Sequence, residues 1–184
     1  MKKLGHEVCV MGPQFFSTIR RPVGLKMIPI PLPGRSAFTF MMYQLLSVLV
    51  FPFIVLIHKP DALLLRGGGM GIVWLLELVA RLCGVRVISE INGISWSETK
   101  VRFGVPFLPD FVKMMASLEC RIAHAIIAVT PQIRQELITV TGLPPEKFIV
   151  IQNGANPDEF VRTGRDRMRR ALGIGADTFV VGYT

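Results

Sequence analysis

The chain has 184 residues, room for one domain of ordinary size or one and a fraction. With 51% hydrophobic and 18% charged residues, including 12 Phe and 9 Met, it is too apolar for a disordered chain and must form a core. The 21 Lys+Arg against 13 Asp+Glu leave +8, which favours acidic partners such as anionic lipid, a nucleotide phosphate or nucleic acid without choosing among them.

The excess is uneven: residues 1–35 hold six basic residues against one acid, 36–156 ten against eight, and the remainder five against four. The amino-terminal edge is therefore the electropositive one. Cys9, Cys83 and Cys120 are odd in number, far apart and set in apolar runs. That argues against a disulfide framework or zinc knuckle and reads as reduced, buried, cytosolic thiols. The opening lacks the charged, apolar, small-residue succession of a signal peptide, so secretion is not expected.

Apolar runs of strand length alternate with longer apolar or amphipathic segments almost to the end, the pattern of β-α-β units. In chain order, strands are expected at 7–11, 25–30, 62–65, 85–91, 125–129, 148–151 and 178–182, and helices at 37–57, 71–82, 108–123, 132–141 and 165–172. Most of these strands lack polar alternation, as strands buried on both faces do. The fold expected is α/β, a Rossmann-like parallel sheet with helices on both faces. Both ends read as cut: no helix or strand precedes the first strand, and the apolar run at 179–184 has nothing to pair with.

Residues 37–57 carry no charge, and a helix of that length spans roughly 30 Å, the thickness of a bilayer's hydrocarbon core. Three readings stay open: a helix packed on the sheet, one with a face against a membrane, and a span. If 25–30 and 62–65 are parallel neighbours in one sheet, the helix must return the chain to the same side, which a span does not do. Thr39, Gln44, Ser47 and Pro52 also speak against an uninterrupted span. Arg20, Arg21, Lys26 and Arg35, shortly before the helix, suit an anionic interface and equally a solvated loop.

Chemistry is sought at strand ends. Arg66-Gly67-Gly68-Gly69-Met70 follows an apolar strand and opens a helix, where backbone N–H groups can face an anion. Its spacing is neither a dinucleotide fingerprint nor a P-loop, and a tight strand-to-helix turn explains it as well. Glu90-Ile91-Asn92-Gly93 ends the next strand with polar groups emerging from an apolar run; a carboxylate bonded to loop amides is the plain alternative for Glu90. A third strand end carries the Asn153-Gly154 turn, with Phe160 as an anchor beyond it. His6, His58 and His124 share no ligand spacing and no Cys or carboxylate cluster completes a site, so no metal is expected. There is no Gly-x-Ser-x-Gly elbow and no nucleic-acid recognition motif, so nucleic acid is not an expected partner.

Together, Leu4-Gly5-His6-Glu7-Val8, Lys59-Pro60-Asp61 running on to Arg66, Gly84 to Gly93, Ala123 to Thr130, and Val150 to Asn156 with Phe160 resemble the amino-terminal domain of a family-4 glycosyltransferase of the GT-B fold. The resemblance implies two Rossmann-like domains around a cleft. It implies transfer of a sugar, with retention, from a nucleotide-sugar donor to a glycan, lipid or other acceptor, without a bound metal or other cofactor. The substrate-binding candidates are Arg66, Gly67, Gly68, Glu90, Asn92, Gly93, Asn153 and Gly154; no catalytic residue is assigned. Asn92-Gly93 stands where many members have His-Gly, which removes an imidazole donor, and Asn156 stands where an Asp is usual. Asn153-Gly154 resembles the turn leading toward the donor domain, and Thr130 suits an N-cap.

On this reading residues 1–177 form the acceptor-side domain without its first strand, 178–184 begin an absent donor-binding domain, and the chain alone is inactive. The expected location is the cytoplasm, with peripheral contact at the inner face of an anionic membrane. A non-catalytic membrane- or polysaccharide-binding module is the alternative, and a GT-B-fold sugar-nucleotide epimerase is a second enzymatic one.

Overall fold

The computed structural model describes residues 5–15, 26–32, 36–69, 71–154, 164–175 and 177–181. The chain divides into two compact units, Met1–Gln152 and Asn153–Thr184. The first contains β1 (Cys9–Phe15), β2 (Lys26–Leu32), α1 (Ala37–His58), β3 (Ala62–Arg66), α2 (Val73–Leu82), β4 (Arg86–Ile91), α3 (Ser95–Phe103), α4 (Leu108–Ile122), β5 (Ala125–Ala128), α5 (Pro131–Thr141) and β6 (Phe148–Val150). All pairings are parallel, β1 with β2 in one sheet and β3-β4-β5-β6 in another. The architecture is the Rossmann-like α/β one that the alternation predicts.

The core lies where α2, α4 and α5 meet β4 and β5: Leu76, Ala80, Val87, Ile91, Ala116, Cys120, Ile126, Ala128 and Leu137 are buried together. Local chemistry fixes the helix ends. Ser36 and Thr39 form a reciprocal capping box at α1, and Thr130 caps α5 by accepting from the Ile133 N–H at 3.1 Å. Helix α1 ends at Lys59, which takes the left-handed conformation (φ 44°) just before Pro60. Arginines finish the carbonyls at the far side: Arg81 donates to the Ile122 carbonyl at 2.6 Å and Arg134 to that of Phe148 at 3.0 Å.

Five expectations change. The strands at β2 and β3 are not neighbours in one sheet, and among the described residues no ladder joins the two sheets. The topological argument against a membrane span therefore lapses. Helix α1 also runs through Pro52 without a break. The polar segment 95–103, which has no strong apolar stripe, forms α3 and buries only Trp96 and Thr99. Residues 178–181 form no strand, because a strand needs a ladder partner and none of the described residues pairs with them; Phe179 and Val181 stay exposed. Of the cysteines only Cys120 is buried; Cys9 is exposed at the start of β1 and Cys83 at the exposed end of α2.

Helix α1 is turned inside out with respect to polarity. Gln44, Ser47, Val48 and Phe51, spaced for one helical face, are buried. Phe38, Met41, Leu45, Leu49, Phe53 and Leu56 form a stripe of the same i+3/i+4 spacing on the opposite, exposed face. The inward polar groups are partnered: Gln44 Oε1 accepts from the Ile72 N–H at 2.8 Å, at the start of α2, and Ser47 Oγ donates to the Tyr43 carbonyl at 2.7 Å. The helix is long and apolar enough to cross a membrane, with a mean hydropathy of 2.3 over its most apolar stretch.

The second unit contains α6 (Arg165–Ala171), which follows Gly164. Its Arg169 guanidinium donates to the carbonyls of Gly175 and Thr178 and closes the turn after the helix.

Candidate functional site

The site grows from the ends of two adjacent strands. Arg66 and Glu90 are register partners at the carboxyl ends of β3 and β4, and the Gly67 N–H donates to the Glu90 carbonyl at 2.9 Å. The ladder therefore stops at one level in both strands, and the chain leaves it on both sides of a shared opening. Such strand ends are where open parallel sheets bind ligands.

A pocket of about 420 Å³ occupies that opening, lined by Arg66 and Gly67 after β3, Asn92 and Gly93 after β4, Val73 at the start of α2, Ser95 and Glu98 in the first turn of α3, and Phe40 of α1. Four of the sequence candidates thus meet in one cavity. Glu90 supports it from beside: its Oε1 accepts from Asn92 Nδ2 at 2.8 Å. The carboxylate therefore orients a side-chain amide, where loop amides were its plain alternative. Gly68 is buried behind the rim, close to Ser95. Asn153 and Gly154 belong to the second unit. Phe160 and Asn156 lie outside the described residues, as do Arg20, Arg21, Arg35 and Met70.

The glycine turn rests on buried acids that the strand-end reading did not find. Glu119 of α4 reaches beneath it, and its Oε2 accepts from the Gly68 N–H at 2.7 Å and the Gly69 N–H at 2.9 Å. A Cβ on Gly67 would collide with Ser89 Oγ and come within 2.9 Å of Glu119 Oε2. At Gly69 (φ +80°) a Cβ would press on the Val112 carbonyl and sit 2.9 Å from the Ala116 N. The turn is therefore glycine because it lies flat on α4.

Glu77 of α2 is fully buried nearby, and among the described residues neither of its carboxylate oxygens has a partner at good hydrogen-bond geometry; nor do Glu119 Oε1 and Ser89 Oγ. Burial, and then the charge of Glu119, pushes the Glu77 carboxyl up to about 8, opposed by the Ser89 hydroxyl that leans toward it and by the charge of Lys147. Burial raises Glu119 as well, and its two backbone N–H bonds pull it back. Burial and both glutamates push the Cys120 thiol up to about 12, so it is an inert core group.

Among the described residues no three His, Cys, Asp or Glu side chains gather as metal ligands. The contribution of Phe40, Val73, Ser95 and Glu98 to the pocket depends on tertiary packing. The acid at 98, three residues after Ser95, is the one local hint of a helix start there.

The sequence profile of Glycosyltransferase Family 4 matches residues 1–159. No curated protein matches. Among solved structures, the chain is similar to one described as the S. aureus MnaA-UDP co-structure, at 15% identity and a TM-score of 0.43, over 70% of this chain and 38% of that one. The chain thus spans well under half the length of that structure. The profile takes in most of the 184 residues, including both strand ends that build the pocket, and the chain belongs to glycosyltransferase family 4.

Proposed function

We propose that this chain supplies the acceptor-binding side of a glycosyltransferase that moves a sugar, with retention, from a nucleotide-sugar donor to an acceptor at the cytoplasmic face of a membrane. Family membership together with the strand-end pocket carries the reading. The pocket's chemistry suits a sugar-bearing acceptor: Asn92, Ser95 and Glu98 offer donors and acceptors to hydroxyls, Arg66 a planar fork for a hydroxyl or phosphate, and Phe40 and Val73 an apolar wall. The nucleotide-sugar is a co-substrate, and the proposed reaction uses no resident metal or other cofactor. Asn153-Gly154 is assigned a positioning role in the turn toward the donor side.

Membrane contact is part of the proposal because of α1. Phe40 lines the pocket and belongs to the same helix whose outer face is the Phe38 to Leu56 stripe. Its inward polar contacts tie α1 to the protein along one side, which fits a helix lying on a bilayer surface.

Two experiments test this. The complete gene product, given nucleotide-sugars and a membrane-lipid extract, should transfer sugar, and Asn92→Ala should cut the rate; absence of donor-dependent transfer would overturn the reading. The chain should co-sediment with phosphatidylglycerol vesicles, and Leu49→Asp/Phe53→Asp should abolish this; undiminished co-sedimentation of that variant would remove the membrane clause.

A further inference from the structure

The glycine turn at the pocket rim is held from below by a group whose hydrogen bonding does not close while both of its acids are charged. Glu77 and Glu119 together offer four carboxylate oxygens, and among the described residues only Glu119 Oε2 has well-placed donors, the Gly68 and Gly69 N–H groups. Ser89, the neutral side chain beside the turn and this pair, meets Glu77 only at poor hydrogen-bond geometry and can donate only one hydrogen. The groups facing Glu77 are Glu119, with its neighbour Cys120, on α4, Ser89 on β4 and Lys147 before β6. Lys147 already donates to the Arg121 carbonyl at 3.1 Å. Two buried carboxylates with these neighbours cannot both stay ionised, and one proton removes the surplus charge while supplying the missing donor.

We propose that Glu77 and Glu119 hold one proton between them, Glu77 as the neutral member and Glu119 as the charged one, and act as a positioning pair that fixes the Gly67–Gly69 turn against α4. The division follows from the contacts. Glu119 receives two backbone N–H bonds, which favour its charged form, whereas Glu77 receives none and is fully buried. The elevation of Glu77 to about 8 agrees with this assignment. Loss of the proton puts a second negative charge beside the first and loosens the turn, of which Gly67 lines the pocket. Only the use of that turn by a sugar acceptor rests on the function proposed above. The experiment contains no substrate, so its failure and the failure of that reading are separate outcomes.

The test is an infrared and amide-exchange titration of the chain. A protonated-carboxyl band should be present at neutral pH, vanish in Glu77→Gln, and titrate near pH 8 in the wild type. Over the same range, protection of the Gly68 and Gly69 amides, corrected for intrinsic exchange, should fall roughly tenfold or more while core amides such as Val87 keep theirs. In Glu77→Gln that protection should be flat with pH. Absence of the band, or its survival in Glu77→Gln, would overturn the shared proton. A band whose titration leaves Gly68 and Gly69 unchanged, or loosens Val87 equally, would overturn the positioning role. Should Glu77→Gln fail to fold, the wild-type band and amide titrations decide alone: a common midpoint supports the pair and separate midpoints refute it.

Discussion

Helix α1 and the α2–α4 pair handle buried polarity in opposite ways. In α1 the inward Thr39, Gln44 and Ser47 each have backbone partners, and the greasy side chains face out. In α2 and α4 two carboxylates are sealed beneath the pocket with too few donors among the described residues. A buried polar group that is satisfied can stay as it is and, like Gln44, join two elements; an ionisable one that is not satisfied must change its charge. The first region therefore reads as a rigid mount for an external apolar face, and the second as a charge-sensitive support for a loop.

The contrast can be broken most forcefully at the loop. Gly69→Ala puts a Cβ against backbone atoms of α4 at a positive φ and should cost about 3 kcal/mol or more, read as a lowered urea midpoint. A near-neutral result would mean that the turn does not lie flat on α4.

The next effect is pH dependence. Glu77 is an acid whose folded value is raised, so the folded chain holds a proton that the unfolded chain releases. Its stabilising contribution is complete below the ordinary value of 4.5 and is lost as pH rises to about 8. Glu119, also raised, has the same sign. Over that window the wild type should lose on the order of a few kcal/mol, and Glu77→Gln should flatten the slope, measured by denaturation at several pH values.

The smallest effects sharpen the account of α1. Gln44→Ala leaves the Ile72 N–H without its acceptor and should cost about 1 to 3 kcal/mol. Leu49→Ala, on the exposed stripe, should change stability by no more than about 0.5 kcal/mol although it removes more apolar surface. Paired denaturation curves check the inversion, and the reverse ranking would show that the outer face is covered in the folded chain.

Much of this was legible in the residues, and the gaps have physical causes. Apolar runs mark strands and helices one at a time, so the element order was readable, but pairing depends on contacts far apart in sequence, and the separation into two sheets was not. Helix α3 escaped because Ser95–Phe103 is polar and buries only two side chains. Arg66, Gly67, Asn92 and Gly93 could be found because polar and glycine residues at the ends of apolar strands have few other reasons to be there. Phe40 and Val73 could not, since an apolar residue in an apolar helix carries no signal. Glu77, alone among Trp74, Leu75, Leu76, Leu78 and Val79, was the visible clue to the buried pair.

The central claim is that the pocket at the ends of β3 and β4 binds the acceptor. Steady-state transfer by the complete gene product, with donor and acceptor varied separately, tests it most directly in Arg66→Ala. The acceptor KM should rise roughly tenfold while the donor KM stays at the wild-type value. A raised donor KM with an unchanged acceptor KM would contradict it.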